Sequence, residues 1–262
     1  MKAALFIPVL LLAIPGFAAP TFAAEPLDCA PSAPESVRLA NVVDRLDIVL
    51  EDGRRIYFPT LEPPRATPAE PNRSVDIARE VAALLASKPL VLQKLGVPDR
   101  WGRIPSRLSV EGDGESVDET LVAAGLAMAS AEADACDPRL REAEAAARAE
   151  GLGIWADPDF AVLSGQEKRD LSARAGALTL VEGRVSSIGH TAPRLYLNLG
   201  GGRGGLALTI ARRNFPRFEQ AGLTEKKLLH KKIRARGVLE IGAGPQIELF
   251  RPKQIELIEE DR

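Results

Sequence analysis

Two histidines, two cysteines and few aromatic residues in a chain of 262 set the first limits on what this protein does. His190 and His230 have no cysteine or second histidine at ligand spacing, so neither reads as a zinc ligand and both are expected on the surface. Aromatics make up 5% of the sequence. Any core must therefore be aliphatic, and Trp101 and Trp155 read as core packing rather than ligand platforms. The run Gly200-Gly201-Gly202-Arg203-Gly204-Gly205 is followed by no Lys-Ser or Lys-Thr, which rules out a phosphate loop and leaves a flexible hairpin tip. No stretch after residue 24 is apolar for long enough to span a bilayer, and no internal repeat of about 20 to 50 residues recurs.

What is present begins with Met1-Lys2, an apolar run from Ala3 to Ala19, and small residues around Thr21-Phe22-Ala23-Ala24. That order of charge, apolar core and cleavage site is a secretory signal peptide. Cleavage is expected after Ala23 or Ala24. A retained anchor is the alternative, but Pro15, Gly16 and Pro20 interrupt the run. The expected location is the periplasm or the extracellular space. In such an oxidising compartment, Cys29 and Cys136 predict one disulfide tying the N-terminal arm to the segment before a long helix, with two free buried thiols as the alternative.

Charge becomes informative once the chain is divided. Ala24 to Ala175 carries 18 Lys+Arg against 27 Asp+Glu, a net of −9, whereas Gly176 to Arg262 carries 15 against 9, a net of +6. A basic half beside an acidic half means either polyanion binding or mutual attraction of the halves.

Val37 to Leu50 reads as a strand, Glu51-Asp52-Gly53-Arg54 as a hairpin turn, and Arg55 to Phe58 as the partner strand. Pro59, Pro63, Pro64, Pro68 and Pro71 make the next stretch a surface loop. Ser74 to Ala86 carries Val75, Ala78, Val81, Ala82 and Leu85 at helical spacing. Leu90 to Gln93 and Ile104 to Val110 read as strands, Ser116 to Ala124 as a helix capped by Ser116, and Arg139 to Glu150 as a helix stopped by Gly151. The polar stretch from Ser164 to Arg174 reads as a linker. Beyond it come short strands over Leu178–Val185, Leu195–Leu199, Leu206–Ile210, Ile233–Leu239, Gln246–Leu249 and Ile255–Ile258. With a helical insert over Arg212–Ala221, they suggest a small barrel.

Two stretches of the first half resemble the thermonuclease (staphylococcal-nuclease-like) family. The more specific is Asp99-Arg100-Trp101-Gly102-Arg103, then Leu121-Val122-Ala123-Ala124-Gly125-Leu126-Ala127, then Leu140 through Arg148 to Gly151-Leu152-Gly153-Ile154-Trp155. The other runs from Val42-Val43-Asp44 through Leu50 to Ile56 and on to Pro64. The resemblance implies an α+β fold, an OB-fold barrel with three helices over residues 25–160. The second half, with Tyr196-Leu197-Asn198-Leu199-Gly200, Arg234-Ala235-Arg236-Gly237 and Pro252 to Glu256, is similar to OB-like domains. This gives a signal peptide over 1–24, the first domain over 25–160, a linker over 161–176 and a basic OB-like β-barrel over 177–262.

Cleaving members of that family hold Ca²⁺ between carboxylates, activate water with a glutamate and clamp the phosphate with two arginines, so that ion and arginines neutralise charge developing on the phosphoryl oxygens. In this sequence the first calcium aspartate corresponds to Leu46, the first phosphate arginine to Tyr57, the second calcium aspartate to Glu62 and the glutamate base to Arg65. Arg103 keeps its catalytic identity, or persists as a structural partner of a carboxylate. Asp47 replaces Leu46 only if a bulge turns it to the other face. With single contacts of this kind worth about 10²–10³ in rate, the combined losses imply a binding module rather than an enzyme. No metal ligand set and no cofactor are expected.

Arg212, Arg213, Lys231, Lys232, Arg234 and Arg236 are the candidate nucleic-acid contacts of the basic half, with Lys226 and Lys227 nearby. The blander reading is a solvated charged connection, since OB grooves that bind nucleic acid also offer stacking aromatics. Phe215 and Phe218 read as core. The expectation is a monomeric exported protein that binds single-stranded nucleic acid or a protein partner and inserts in no membrane once its leader is removed. One alternative is a divergent metal-dependent nuclease, a phosphodiesterase using Glu62, Arg103 and Asp47 with Ca²⁺. Another is a structural cell-envelope partner.

Overall fold

A computed structural model describes Cys29 and residues 32–67, 70–112, 114–131, 133–166, 168–200 and 205–258. The leader read over residues 1–24 and Gly201 to Gly204 of the glycine run lie outside them.

The first module opens with β1 (Glu35–Val37) and β2 (Leu39–Val43), separated only by Arg38. The sequence predicts one strand over Val37–Leu50, but the chain reverses at Asp44–Leu46 in a turn of 3₁₀ helix and returns as β3 (Asp47–Leu50), antiparallel to β2 with Val43 opposite Asp47. The reversal rests on positive φ at Arg45 (62°) and Leu46 (58°). Neither is glycine or asparagine, so nothing local announces it. β4 (Arg55–Tyr57) pairs with β3 across the turn at residues 51–54, where Gly53 has φ of 84°. Next come β5 (Leu61–Glu62), the proline-rich loop, α1 (Arg73–Leu85), β6 (Leu90–Lys94) and β7 (Arg103–Val110).

The sheet order is β1-β6-β7-β4-β3-β2, with β4 and β7 parallel. Its two margins are therefore the two halves of one nearly continuous segment. Ile48, Ile56, Val81, Leu90 and Leu108 are wholly buried between this sheet and α1. On α1 the buried stripe is Ile77, Ala78, Val81 and Leu85, while Val75, expected inside, is exposed. One turn of helix leaves two apolar residues competing for the stripe, and the sheet selects Ile77.

α2 (Val117–Ala123) is capped by Ser116, whose hydroxyl accepts from the Glu119 amide at 3.4 Å. β8 (Met128–Ala129) pairs with β5, α3 (Ala133–Cys136) makes a single turn, and α4 (Arg139–Glu150) ends at Gly151 with φ of 66°. Gly125 and Gly153 let the ends of α2 and α4 touch backbone to backbone: a Cβ on Gly125 would stand 2.2 Å from the Leu152 carbonyl oxygen. The expected Cys29–Cys136 disulfide is present and ties the N-terminal arm to the end of α3.

The stretch read as a linker is structured. β9 (Leu163–Ser164) pairs in parallel with the first strand of the second module, and α5 (Lys168–Ala173) follows. Leu163 and Leu171, isolated in a polar sequence, are both buried in the second core. Two anchors suffice to fix the segment, although periodicity needs more than two apolar positions to be recognised.

The second module comprises β10 (Leu178–His190), β11 (Arg194–Leu199), β12 (Ala207–Ala211), α6 (Phe215–Gln220), α7 (Glu225–Leu228), β13 (Lys232–Ile241), β14 (Pro245–Leu249) and β15 (Ile255–Leu257). β10 pairs with β13 along its first half and with β11 along its second, and β12 and β14 are parallel. The pairing thus runs β10-β11-β12-β14-β13 and back to β10, the same circuit that the first module makes. Phe218 is wholly buried and Phe215 packs partly against the same core, as expected. Among the described residues no helix is long and apolar enough to cross a membrane.

Candidate functional site

Arg103 begins β7, directly beside Arg55 of β4 in the parallel register. The turn before it is held by Asp99, whose carboxylate accepts from the backbone amides of Trp101 at 2.9 Å and Arg103 at 3.0 Å. Gly102, with φ of 73°, completes it. The Arg103 guanidinium then folds back: Nε and Nη2 donate to Asp99 at 2.9 and 2.8 Å, and Nη1 donates to Asp47 at 2.8 Å. The other oxygen of Asp47 accepts from Arg55 at 2.7 Å. Burial alone would push Asp99 up, but the hydrogen bonds from Arg103 and Trp101 outweigh it and hold the carboxyl below its ordinary value.

Asp47 reaches this site through the 3₁₀ turn at Asp44–Leu46 and not through the strand bulge expected from alternation. The 3₁₀ turn resets the alternation, burying Leu46 at 3% exposure and bringing Asp47, at 6%, beside Arg103. Its two oxygens are taken by two arginines.

Trp101 is 58% exposed, which corrects the expectation that it packs in the core. The Asp99 turn carries it away from the sheet, and its face is covered by cations instead. The Arg100 guanidinium lies 4.0 Å from the ring centroid, and Arg103 lies 5.0 Å from it and 4.9 Å from the ring of Tyr57. Arg100, Trp101, Arg103 and Tyr57 thus form an alternating column of cation and ring. Trp155, by contrast, packs partly buried against the first core, as read from the sequence.

Beside the column lies a cavity of about 350 Å³, lined from the first module by Arg45, Asp47, Tyr57, Glu62 and Arg103 and from the second by Leu178, Arg236 and Gln254. Burial pushes the Glu62 carboxyl above its ordinary value, and the attraction of Arg65 and Arg45 offsets this only in part. Burial likewise raises the Tyr57 hydroxyl, assisted by Asp99 and opposed by Arg103. Arg65 turns away from the cavity and donates to the carbonyl oxygen of Gly176, at the start of the second module.

These side chains do not fit Ca²⁺. Of the two carboxylates facing the cavity, Asp47 is occupied by arginines and Glu62 is driven toward its neutral form, whereas calcium takes 6–8 oxygens, several of them charged. Among the described residues no group of three or more His, Cys, Asp or Glu side chains is arranged to hold a metal ion.

The six basic candidates of the second module are not brought together. Arg236 is 3% exposed, faces the first module, donates to the Ala129 carbonyl and lies 2.9 Å from Glu144 and 3.3 Å from Glu256. Arg234 pairs with Glu182 at 2.6 Å and Glu256 at 3.1 Å, and Lys232 approaches Glu182 at 3.6 Å. Arg212, Arg213 and Lys231 are exposed. Arg212 touches His190, whose other nitrogen lies 3.2 Å from Glu225, and His190 and His230 are both on the surface, as expected. Alternate positions along β13 point the same way, so Lys232, Arg234 and Arg236 share one face. Which face meets the first module is not written in their spacing.

The family model for Staphylococcal nuclease homologue matches residues 75–157. That stretch runs from α1 to the turn after α4 and contains Asp99, Trp101 and Arg103. It begins after Leu46, Tyr57, Glu62 and Arg65. The comparison supports a thermonuclease-like domain with a nuclease-related or nucleic-acid-binding function. Comparison with curated proteins gave no match.

Proposed function

We propose, from the likeness of residues 75–157 to nuclease homologues, that this is an exported nucleic-acid-binding protein built of two OB-type barrels, the first a thermonuclease-like module that no longer cleaves. The observation that carries this reading is the state of Arg103. Its guanidinium donates to Asp99 and Asp47, so it is spent on protein carboxylates where a cleaving enzyme would aim it at phosphate. Leu46 in the core and a destabilised negative charge on Glu62 leave a divalent ion without a cage.

What remains is suited to binding. Trp101 offers an exposed ring, and Arg45, Arg55, Arg100 and Arg103 outnumber Asp47 and Asp99 around it. A base reaches this ring by displacing the Arg100 guanidinium that lies 4.0 Å from it, which a base freed from its own duplex can do, so the ligand is single-stranded, with stacking worth about 1–3 kcal/mol per base. Export is supported by the leader-like first 24 residues and by the disulfide, which persists in oxidising compartments.

The test incubates the purified mature chain with single- and double-stranded DNA and RNA in Ca²⁺, Mg²⁺ or Mn²⁺, beside a fluorescence-anisotropy titration of poly(dT). We expect no cleavage, and binding that weakens with salt and weakens further in Trp101→Ala. Metal-dependent cleavage lost in Arg103→Ala would establish the enzyme instead, with Glu62 and Asp47 as the carboxylates that line the cavity beside that arginine.

A further inference from the structure

We infer that the segment joining β12 to β13 is a docking surface for anionic phospholipid headgroups, by which the protein adsorbs to a bilayer without spanning it.

Residues 212–231 carry Arg212, Arg213, Arg217, Lys226, Lys227 and Lys231 against Glu219 and Glu225. All of these cations are exposed. Phe218, Leu223 and Leu228 pin the segment from its inner side, each buried in the second core, which leaves the charged residues between them facing water. Of the two acids, Glu225 is engaged: its carboxylate lies 3.2 Å from Nε2 of His190, whose Nδ1 lies 3.1 Å from Arg212. That chain of contacts ties the start of the segment to the first turn of α7. The Lys227 ammonium in turn lies 3.7 Å from where a Cβ on Gly222, just after α6, would stand. The cations are thus gathered at one end of the barrel.

An apolar residue stands at the tip. The Lys231 amide donates to the Leu228 carbonyl at 3.1 Å, closing a four-residue turn in which Leu229 has φ of −59° and ψ of 129° and His230 has φ of 64°. These are the angles of a type II turn, whose third position favours glycine or asparagine. Histidine there is strained, and the surroundings hold it in place. The His230 amide donates to the Val185 carbonyl at 2.8 Å, the Val185 amide donates to the Lys231 carbonyl at 3.0 Å, and Arg184 donates to the His230 carbonyl at 2.7 Å. Leu229, 36% exposed, is therefore fixed at a corner between Lys227 and Lys231 instead of folding back into the core.

Charge and the exposed leucine together select the occupant. The chain as a whole is net negative, at −2, so a planar anionic surface repels the molecule at large and attracts this end, within a Debye length. A single-stranded nucleic acid would look for rings to stack on. Here Phe218 is wholly buried and Phe215 packs partly against the same core. A leucine held among lysines also gains nothing from a phosphate backbone. At a bilayer it enters the boundary between headgroups and acyl chains, while the lysine and arginine stems lie along that boundary and their charges stay with the lipid phosphates. Export, as proposed, sets the chain beside such a surface, and the vesicle experiment below is independent of it.

Flotation of the disulfide-bonded mature chain tests this, with vesicles of phosphatidylcholine alone and of phosphatidylcholine containing about one-third phosphatidylglycerol. Binding is expected only to the anionic vesicles, and should fall at least about tenfold between about 20 mM and about 500 mM salt. Lys226→Glu with Lys227→Glu should lower it about tenfold or more. Leu229→Ser, which removes an exposed side chain, should lower it about threefold or more at an unchanged thermal midpoint. Trp101→Ala should bind vesicles as the parent does, so that failure of the nucleic-acid site and failure of this surface are read separately. The inference fails if the anionic vesicles do not retain the chain at low salt, if the charge-reversed variant or Leu229→Ser binds them normally, or if Trp101→Ala loses them. It fails equally if poly(dT) displaces the vesicles from Trp101→Ala, which would make this end a nucleic-acid contact.

Discussion

Arg236 of β13 and Glu144 of α4, at 3% and 1% exposure, lie 2.9 Å apart and join the two modules through their interiors. Around them Arg141 reaches Glu256 at 3.2 Å and Arg234 reaches Glu182 and Glu256. Nη1 of Arg236 donates to Oε1 of Glu144 at 3.4 Å, while the nearer oxygen, Oε2, 2.9 Å from Nη2, contributes by charge alone. Part of the basic surplus of the second half is therefore spent on carboxylates at the junction.

Removing Glu144 leaves the buried Arg236 with Glu256, at 3.3 Å and one-third exposed, as its remaining carboxylate. Glu144→Ala is expected to lower the unfolding free energy by about 3–5 kcal/mol, whereas Glu144→Leu combined with Arg236→Met should recover most of that loss. Urea unfolding followed by circular dichroism measures both. A single substitution costing less than about 1 kcal/mol would mean that water reaches the pair.

How much of this was legible in the sequence depends on how many residues each feature spreads over. α4 was readable to its ends because twelve residues of strong helix formers stop at a glycine. The second module's strands were readable because leucines alternate along them. The reversal at Arg45 and Leu46 was not, since two residues with positive φ leave no periodic trace. The column of Arg100, Trp101, Arg103 and Tyr57 was hidden for another reason: it needs the β4–β7 register, a contact 46 residues long in sequence between Tyr57 and Arg103. For Arg234 and Arg236, sequence gave the charge and its alternation, but the acidic partners lie on strands and a helix far along the chain.

Placing an aspartate at Leu46, where the resemblance to thermonucleases implies a calcium ligand, illustrates the cost of that turn. Leu46 is 3% exposed within the first core, so Leu46→Asp buries a carboxylate among aliphatic side chains. The expected result is destabilisation of at least about 2 kcal/mol and no gain of Ca²⁺-dependent cleavage. Thermal melts with and without Ca²⁺ check this: a calcium-dependent rise in the midpoint of the variant would show that an ion cage had re-formed.

The disulfide joins residues 107 apart in sequence. A closed loop of that length restricts the unfolded chain strongly, so Cys29→Ser with Cys136→Ser should cost about 2–5 kcal/mol. Because the bond anchors the N-terminal arm beside α3, native-state hydrogen exchange should rise first in β1, whose partner is β6. Unchanged protection of β1 in the double variant would place the stabilisation elsewhere.

Asp118 of α2 gives the protein an acid-favoured component of stability. It is 2% exposed, accepts from the Thr60 hydroxyl through one oxygen and has no donor at the other. Burial is the main cause that pushes its pKa from 3.8 to about 6, with Thr60 and Arg107 pulling the other way. The folded state thus binds a proton that the unfolded state has released between those values, so the contribution is full below 3.8 and is lost as the pH rises through 6. A carboxyl moved that far accounts for about 3 kcal/mol. Asp118→Asn keeps an acceptor for Thr60 and carries no charge, so it should be more stable than the parent at pH 8, by up to about that amount, and nearly equal to it at pH 4. Equal midpoints for the two chains at both pH values would mean that the Asp118 carboxylate is solvated in the folded protein, and that its ionisation does not oppose folding.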